Sequence, residues 1–331
     1  MRNLKKSVLS VICCLAGFAD AKIITVDNNA GSVAMHTSLQ AAINSAATGD
    51  TILIAGSPNG YGNVDVGRRL NFVGPGYFLG ENGVPGINKN RAEAGFALYR
   101  RDLLNATNCT FSGLRGGVSQ QDAGITGILV DKCHLASASG SMTFSRCYLD
   151  GGVNLSGGSI RNSIIGNIIN LADGTTVTNC VVRDFNSWQY INTTPGSSIS
   201  NTIFITSTAV SFSKAEFAQQ CKGSISHCLA VSGPGPSGGP SYLPTGLGNI
   251  PTIQLFYDVF TGGNMENAYS LISDSPAKGA GFDALDLGIF SGVRPYVISG
   301  LAQLPRITRF VVPAKATSSS GLRIEMDAEA F

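Results

Sequence analysis

The chain reads as an all-β protein wound into a parallel β-helix, a solenoid closed at its N-terminal end by a short capping helix. Three observations predict this. A six-residue segment recurs along the middle of the chain, its copies are unequally spaced, and the composition holds 41 glycines with only 13% charged residues. Such a composition suits short strands and turns better than long helices.

The segment Val177-Thr178-Asn179-Cys180-Val181-Val182 returns as Ile160-Arg161-Asn162-Ser163-Ile164-Ile165, Ile199-Ser200-Asn201-Thr202-Ile203-Phe204 and Ile225-Ser226-His227-Cys228-Leu229-Ala230. Looser copies are Phe144-Ser145-Arg146-Cys147-Tyr148-Leu149, Val130-Asp131-Lys132-Cys133-His134-Leu135 and Ala106-Thr107-Asn108-Cys109-Thr110-Phe111. The template is apolar, polar, Asn or a long polar residue, small Cys, Ser or Thr, any residue, apolar. It reads as two short strands meeting at a tight bend, because alternation puts the first apolar and the small residue on one face and Asn tolerates a left-handed backbone. Unequal spacing means coils with a common core and loops of different length.

Taken in order, the chain opens with Met1-Arg2-Asn3-Leu4-Lys5-Lys6, an apolar run from Val8 to Phe18, and Ala19-Asp20-Ala21. That is the pattern of a signal peptide over residues 1–21. The run is too short for a spanning helix, which needs about 20 apolar residues, so no transmembrane helix is expected. Ser10-Val11-Ile12 before Cys13 is a poor lipidation site.

Thr37 to Ala47 follow as the capping helix. Thr37 and Gln40 suggest a capping box, Leu39, Ala42, Ile43 and Ala46 form an apolar stripe, and Gly49-Asp50 ends it. Thr51-Ile52-Leu53-Ile54-Ala55 begins the coils, and Gly74-Pro75-Gly76 marks a turn. The coils are expected to occupy residues 22–295, with 296–331 a C-terminal cap, hairpin or linker holding strands near Ile307–Val312 and Leu322–Met326.

Taken together, the helix, the Gly-Asp-Thr-Ile-Leu-Ile strand, Gly-Pro-Gly-Tyr-Phe-Leu and the Asn-Cys coils resemble exported bacterial β-helix proteins of the pectin-lyase-like superfamily. Tyr269-Ser270-Leu271, Ser275-Pro276-Ala277-Lys278-Gly279-Ala280-Gly281 and Asp286-Leu287-Gly288-Ile289-Phe290 resemble the final coil of such proteins. The resemblance implies a right-handed, single-stranded helix, and secretion or attachment at the bacterial cell surface. It is specific to the fold and to no one reaction.

Without residues 1–21 the acidic and basic residues are equal in number. That argues against nucleic acid or an anionic membrane as partner, since both need clustered cations. Six cysteines remain. Cys109, Cys133, Cys147 and Cys180 read as small buried packing residues, and Cys221, outside the template, is paired with Cys228 as the expected disulfide.

Hydrolysis would need two carboxylates across one groove. The strings that the polygalacturonase type carries, Asn-Thr-Asp, paired aspartates, Gly-His-Gly and Arg-Ile-Lys, do not occur here. Asp131, Asp150, Asp173 and Asp184 fall in different coils. A lyase would need a base and a cation to neutralise a uronate. Arg68-Arg69 and Arg100-Arg101-Asp102 are the local clusters able to serve, and calcium would enter only with a lyase. His36, His134 and His227 do not converge, so no metal site is expected.

Trp188 and Tyr190, two residues apart on a strand, would share one face and offer a platform for sugar rings. The expected function is therefore a non-catalytic β-helix module that binds a polysaccharide, a cell-surface glycan or another partner, or serves a structural role. A polysaccharide lyase or glycoside hydrolase is the alternative.

Overall fold

The computed structural model describes residues 21–86, 88–185, 192–206, 218–232, 243–263, 265–302, 304–312 and 324–329. They form a parallel β-helix. Its first sheet takes Ile23–Val26, Thr51–Ile54, Asn71–Val73, Thr110–Ser112, Leu129–Asp131, the ends of Ala138–Ser145 and Tyr148–Arg161, then Thr176–Thr178, Ser198–Ser200 and Ser224–Ser226, each parallel to the next.

Parallel strands about 4.8 Å apart place equivalent residues directly over one another. The register therefore stacks Ile24, Ile52, Phe72, Phe111, Val130, Phe144, Ile160, Val177, Ile199 and Ile225 into one inner file, none more than 2% exposed. Its larger members touch as rings, with Phe72 and Phe111 stacked at 5.0 Å.

The template's third position is the bend that the sequence anticipates. Lys132, Arg146, Asn162, Asn179, Asn201 and His227 all hold left-handed backbone, with φ between 47° and 55°. Gly113 takes the same corner in the preceding coil at φ 67°. The ladder runs unbroken through it: Arg146 N donates to Arg161 O at 3.0 Å, and Asn162 N to Thr178 O at 3.1 Å.

The fourth position explains its own chemistry. Ser163 Oγ donates to Arg161 O (2.8 Å), Cys180 Sγ to Thr178 O (3.2 Å), Thr202 Oγ1 to Ser200 O (2.8 Å) and Cys228 Sγ to Ser226 O (3.2 Å). The corner thus needs a side chain small enough for the interior that still carries a donor for the carbonyl two residues back. Burial pushes the Cys147, Cys180 and Cys228 thiols up to about 12, which keeps them protonated donors.

Two expectations need correction here. The copy at 106–111 is out of register, because Phe111 and not Ala106 pairs with Val130. Cys109 sits one corner earlier, where its Sγ donates to Arg68 O at 3.3 Å. Nor do Cys221 and Cys228 form a disulfide: both are free and buried. Cys221 bridges Thr193 on another sheet, while Cys228 occupies the corner file, so register separates them.

Past the corner, the second sheet turns Leu135, Leu149, Ile165, Val182, Phe204 and Ala230 inward. Its outward file is His134, Tyr148, Ile164, Val181, Ile203 and Leu229. That file is largely apolar and must be covered. The third sheet begins with Asn63–Val66, Glu93–Leu98 and the end of Arg115–Gln120.

The cover is the closing segment. After Ile250–Leu255, the last described strand of the coils, the described residues of 256–302 form no further coil. They run outside the second sheet as a strap, and Phe256, Val259, Phe260, Ala277, Leu287, Ile289 and Tyr296 join Tyr77, Tyr148, Ile164, Val181, Ile203 and Leu229 in a second core. Corner asparagines hold the strap: Asn201 Oδ1 accepts from Phe282 N (3.0 Å), and Asn162 Nδ2 donates to Ile289 O (3.0 Å) and Ser291 O (2.7 Å). At its far end Tyr77 N donates to Ser299 O at 2.8 Å, and the Tyr77 and Tyr296 hydroxyls meet at 2.7 Å.

The capping helix spans Leu39–Ser45 with Leu39, Ala42 and Ile43 buried. Its N-cap is Ser38, not Thr37, the Ser38 hydroxyl accepting from Ala41 N at 3.4 Å. Gln40 instead caps the coil edge, accepting from Asp65 N at 2.8 Å and donating to Asp65 O at 3.2 Å. At the other end, Arg306–Val311 and Glu325–Glu329 form an antiparallel two-stranded ribbon separate from the coils. Among the described residues no helix is long and apolar enough to cross a membrane.

Candidate functional site

The outward side of the first sheet presents hydroxyls in two files. Register aligns Thr143, Ser159, Thr176, Ser198 and Ser224 in one, and Arg161, Thr178, Ser200 and Ser226 in the other, whose preceding member, Ser145, is buried. Alternation dictates this face: in each coil these residues flank the inner Phe144, Ile160, Val177, Ile199 or Ile225. Along the second file, Thr178 and Ser200 bring their hydroxyls to 3.4 Å.

Where the strap passes the corner, Val293 and Arg294 wall this face into a groove of about 560 Å³, lined also by Ser159, Arg161, Asn162, Thr176, Thr178 and Asn179. Asp131, by contrast, is fully engaged by Arg146, whose Nε and Nη2 reach its two carboxylate oxygens at 2.8 and 2.5 Å. Among the described residues Arg161 and Arg294 make no ion pair, and both are exposed. Asn179 is 9% exposed, and its Oδ1 has no hydrogen-bond partner among the described residues.

A second constellation lies at the first-coil end of the second sheet, where His134 and Tyr148 are buried. Glu93, Arg115, His134 and Tyr148 occupy one outward file on successive strands. His134 Nε2 meets Asp150 Oδ2 at 2.6 Å, Arg183 Nη1 donates to Tyr148 Oη at 2.9 Å, and Arg115 Nη1 donates to Glu93 Oε2 at 2.9 Å. The His134 ring is enclosed by Phe78 at 4.7 Å and Tyr148 at 5.2 Å. Burial lowers its pKa against the opposing pull of Asp150, so it is neutral near pH 7 and donates its Nε2 proton to Asp150. Next to it, Phe78, Arg91 and Glu93 border an open hollow with Ser57, Glu81 and Lys89.

The residues singled out in the sequence are placed elsewhere. Arg100, Arg101 and Asp102 sit in an exposed turn after Glu93–Leu98. Arg100 Nη1 donates to Gly124 O at 2.7 Å, while Arg101 lies over the Tyr99 ring at 4.7 Å and 3.9 Å from Asp122. These contacts tie one loop to the next, and the turn is not brought to either constellation. Arg68 donates to Ala46 O at the end of the capping helix. Trp188 and Tyr190 lie outside the described residues.

Sequence reasoning passed over Arg161 and the pairing of His134 with Asp150. The signal was present. Arg161 breaks a run of Ser and Thr at the template's second position, and once the copies are stacked Tyr148 falls beside His134, with Asp150 two residues along on the same face. No family model matches this chain, and no curated protein matches it.

Proposed function

We propose that this chain is an exported, pectin-lyase-like β-helix that binds an extracellular polysaccharide along its first sheet without cleaving it. The observation that carries the reading is the groove between the hydroxyl files and the strap, with guanidiniums on both walls and no ion pair to either among the described residues. Rows of hydroxyls about 4.8 Å apart exchange hydrogen bonds with sugar hydroxyls over several residues of a polymer. Arg161 and Arg294 supply forked donors suited to a carboxylate or sulfate. The sheet holds the hydroxyl files at fixed spacing, so binding has to order little more than the two guanidinium side chains.

Affinity electrophoresis against acidic and neutral polysaccharides tests this. Acidic polymers are expected to retard the chain, and Arg161→Ala or Arg294→Ala to weaken retention about tenfold each, the effect of losing one charge-assisted contact. No retardation by any polymer would dismiss the reading.

Cleavage is the second reading, and the His134–Asp150 pair beside the Phe78 hollow favours it. Unsaturated or reducing ends released from the same panel, with or without calcium, and lost in Asp150→Asn would establish it. Secretion and attachment at the cell surface belong to this proposal, and fractionation of the producing cells tests them.

A further inference from the structure

The C-terminal ribbon has a polar and an apolar face, and among the described residues the apolar face is largely exposed. Pairing of Arg309 with Asp327, Phe310 with Met326 and Val311 with Glu325 sorts the side chains by face. One face carries Arg309, Val311, Glu325 and Asp327, with Arg309 bonded to Glu325 at 2.8 Å and 3.7 Å from Asp327. The other carries Ile307, Phe310, Met326 and Ala328, flanked by Val312 and Ile324. Ile307 is 43% exposed, Phe310 50% and Met326 57%.

A two-stranded ribbon is marginal in water unless its apolar side packs on something, and among the described residues this face stays about half exposed. We propose that this face is where two copies of the chain join, ribbon against ribbon. The half-exposed side chains amount to roughly 500 Å² on each ribbon, so a pair removes about 1,000 Å², the lower bound of a specific interface. The face also continues past Ile307 into an apolar hollow of about 490 Å³ lined by Pro75, Leu79, Pro85 and Leu304.

A twofold axis through Phe310 and Met326 packs the two apolar faces and leaves both charged faces in solvent. A lipid surface is the poorer occupant. The charged face is mixed, with Arg309 beside Glu325 and Asp327, whereas elements that lie on membranes ring their apolar side with cations.

Sedimentation equilibrium of the purified chain is expected to show a concentration-dependent dimer. The double variant Phe310→Ser, Met326→Ser should weaken it at least a hundredfold, with thermal unfolding of the coils unchanged. Because those serines also loosen the ribbon, a positive probe accompanies them. Ala328→Cys, on the apolar face, should crosslink two copies on oxidation, and Asp327→Cys, on the charged face, should not. A monomer at every concentration, a dimer that survives both serines, equal crosslinking from both cysteines, or a monomer that partitions onto phosphatidylcholine vesicles would each overturn the proposal.

Discussion

Asn162 carries two loads at one position: it holds φ at 47°, and its amide reaches out to two carbonyls of the strap. Two substitutions separate them. Asn162→Gly keeps the backbone and loses the amide, at a cost of about 1–3 kcal/mol for two buried bonds lost. Asn162→Ala loses the amide and adds a left-handed alanine, about 1 kcal/mol more. Urea denaturation should rank the wild type above the glycine variant, and the glycine variant above the alanine variant. A glycine variant as stable as the wild type would mean that the amide is dispensable. The neighbouring file makes a parallel point. Cys180→Ser should be nearly neutral, since Ser163 and Thr202 already occupy equivalent corners. Cys180→Val should cost about 1–3 kcal/mol, because it forces a branched side chain into a packed corner and loses the bond to Thr178 O.

At the scale of elements, the strap holds a buried carboxyl. Glu266 accepts from Tyr296 Oη (2.7 Å) and Ser299 N (2.9 Å) through Oε1, and from Asn82 Nδ2 (2.5 Å) through Oε2. Burial raises its pKa above the ordinary 4.5 despite these bonds. The folded strap therefore keeps a proton that the unfolded chain gives up. Its contribution to stability is fullest below 4.5 and declines as pH rises through the folded value. Glu266→Gln should flatten that limb of a melting-temperature profile. His134 acts in the opposite sense: its lowered pKa gives stability above the ordinary 6.5 that is lost as pH falls through the folded value. His134→Gln should flatten the acid limb. The strap's tip depends on Gly300 (φ 55°), where a Cβ would run into the Tyr77 ring and the Lys132 carbonyl. Gly300→Ala should detach the tip, read as faster hydrogen exchange at Tyr77 N with the first-sheet amides unchanged.

The coils were legible in the sequence because the template repeats inner and corner positions whose chemistry is fixed by the bend. The strap was not. Ser275-Pro276-Ala277-Lys278-Gly279 and Asp286-Leu287-Gly288 carry short-range turn signals that serve equally in a coil or outside one. What decides between them is the apolar outward file of the second sheet, visible only once the strands are stacked. The groove was hidden for the same reason, since Arg161 and Arg294 are far apart in the chain and meet only because the strap runs back along the coils. Cys109 was misread because two corners of the coil both accept a small donor after a left-handed residue: Asn108 has φ 60°.

The molecule as a whole has a coiled body with a distinct tail. Removing residues 306–331 should leave the coils and strap intact, since neither core includes a residue from that stretch. Circular dichroism and melting should be unchanged, and the truncated chain should still bind whatever the groove binds. A drop in melting temperature of several degrees would show instead that the ribbon props up the first coils.

One more consequence belongs to the strap. From Val130 onward each coil crosses the corner in the same stride, as from Ile160 to Ile165 and from Val177 to Val182, while loops elsewhere differ in length. Loops can therefore lengthen or shorten over generations without penalty. Coils are another matter, because the strap is pinned to Asn201 near one end and to Tyr77 near the other. A gene that duplicated one coil between them would separate those pins by about 4.8 Å, and the strap would have to give up contacts to follow. The strap works as a ruler, and it lets the chain vary in girth while holding its height constant.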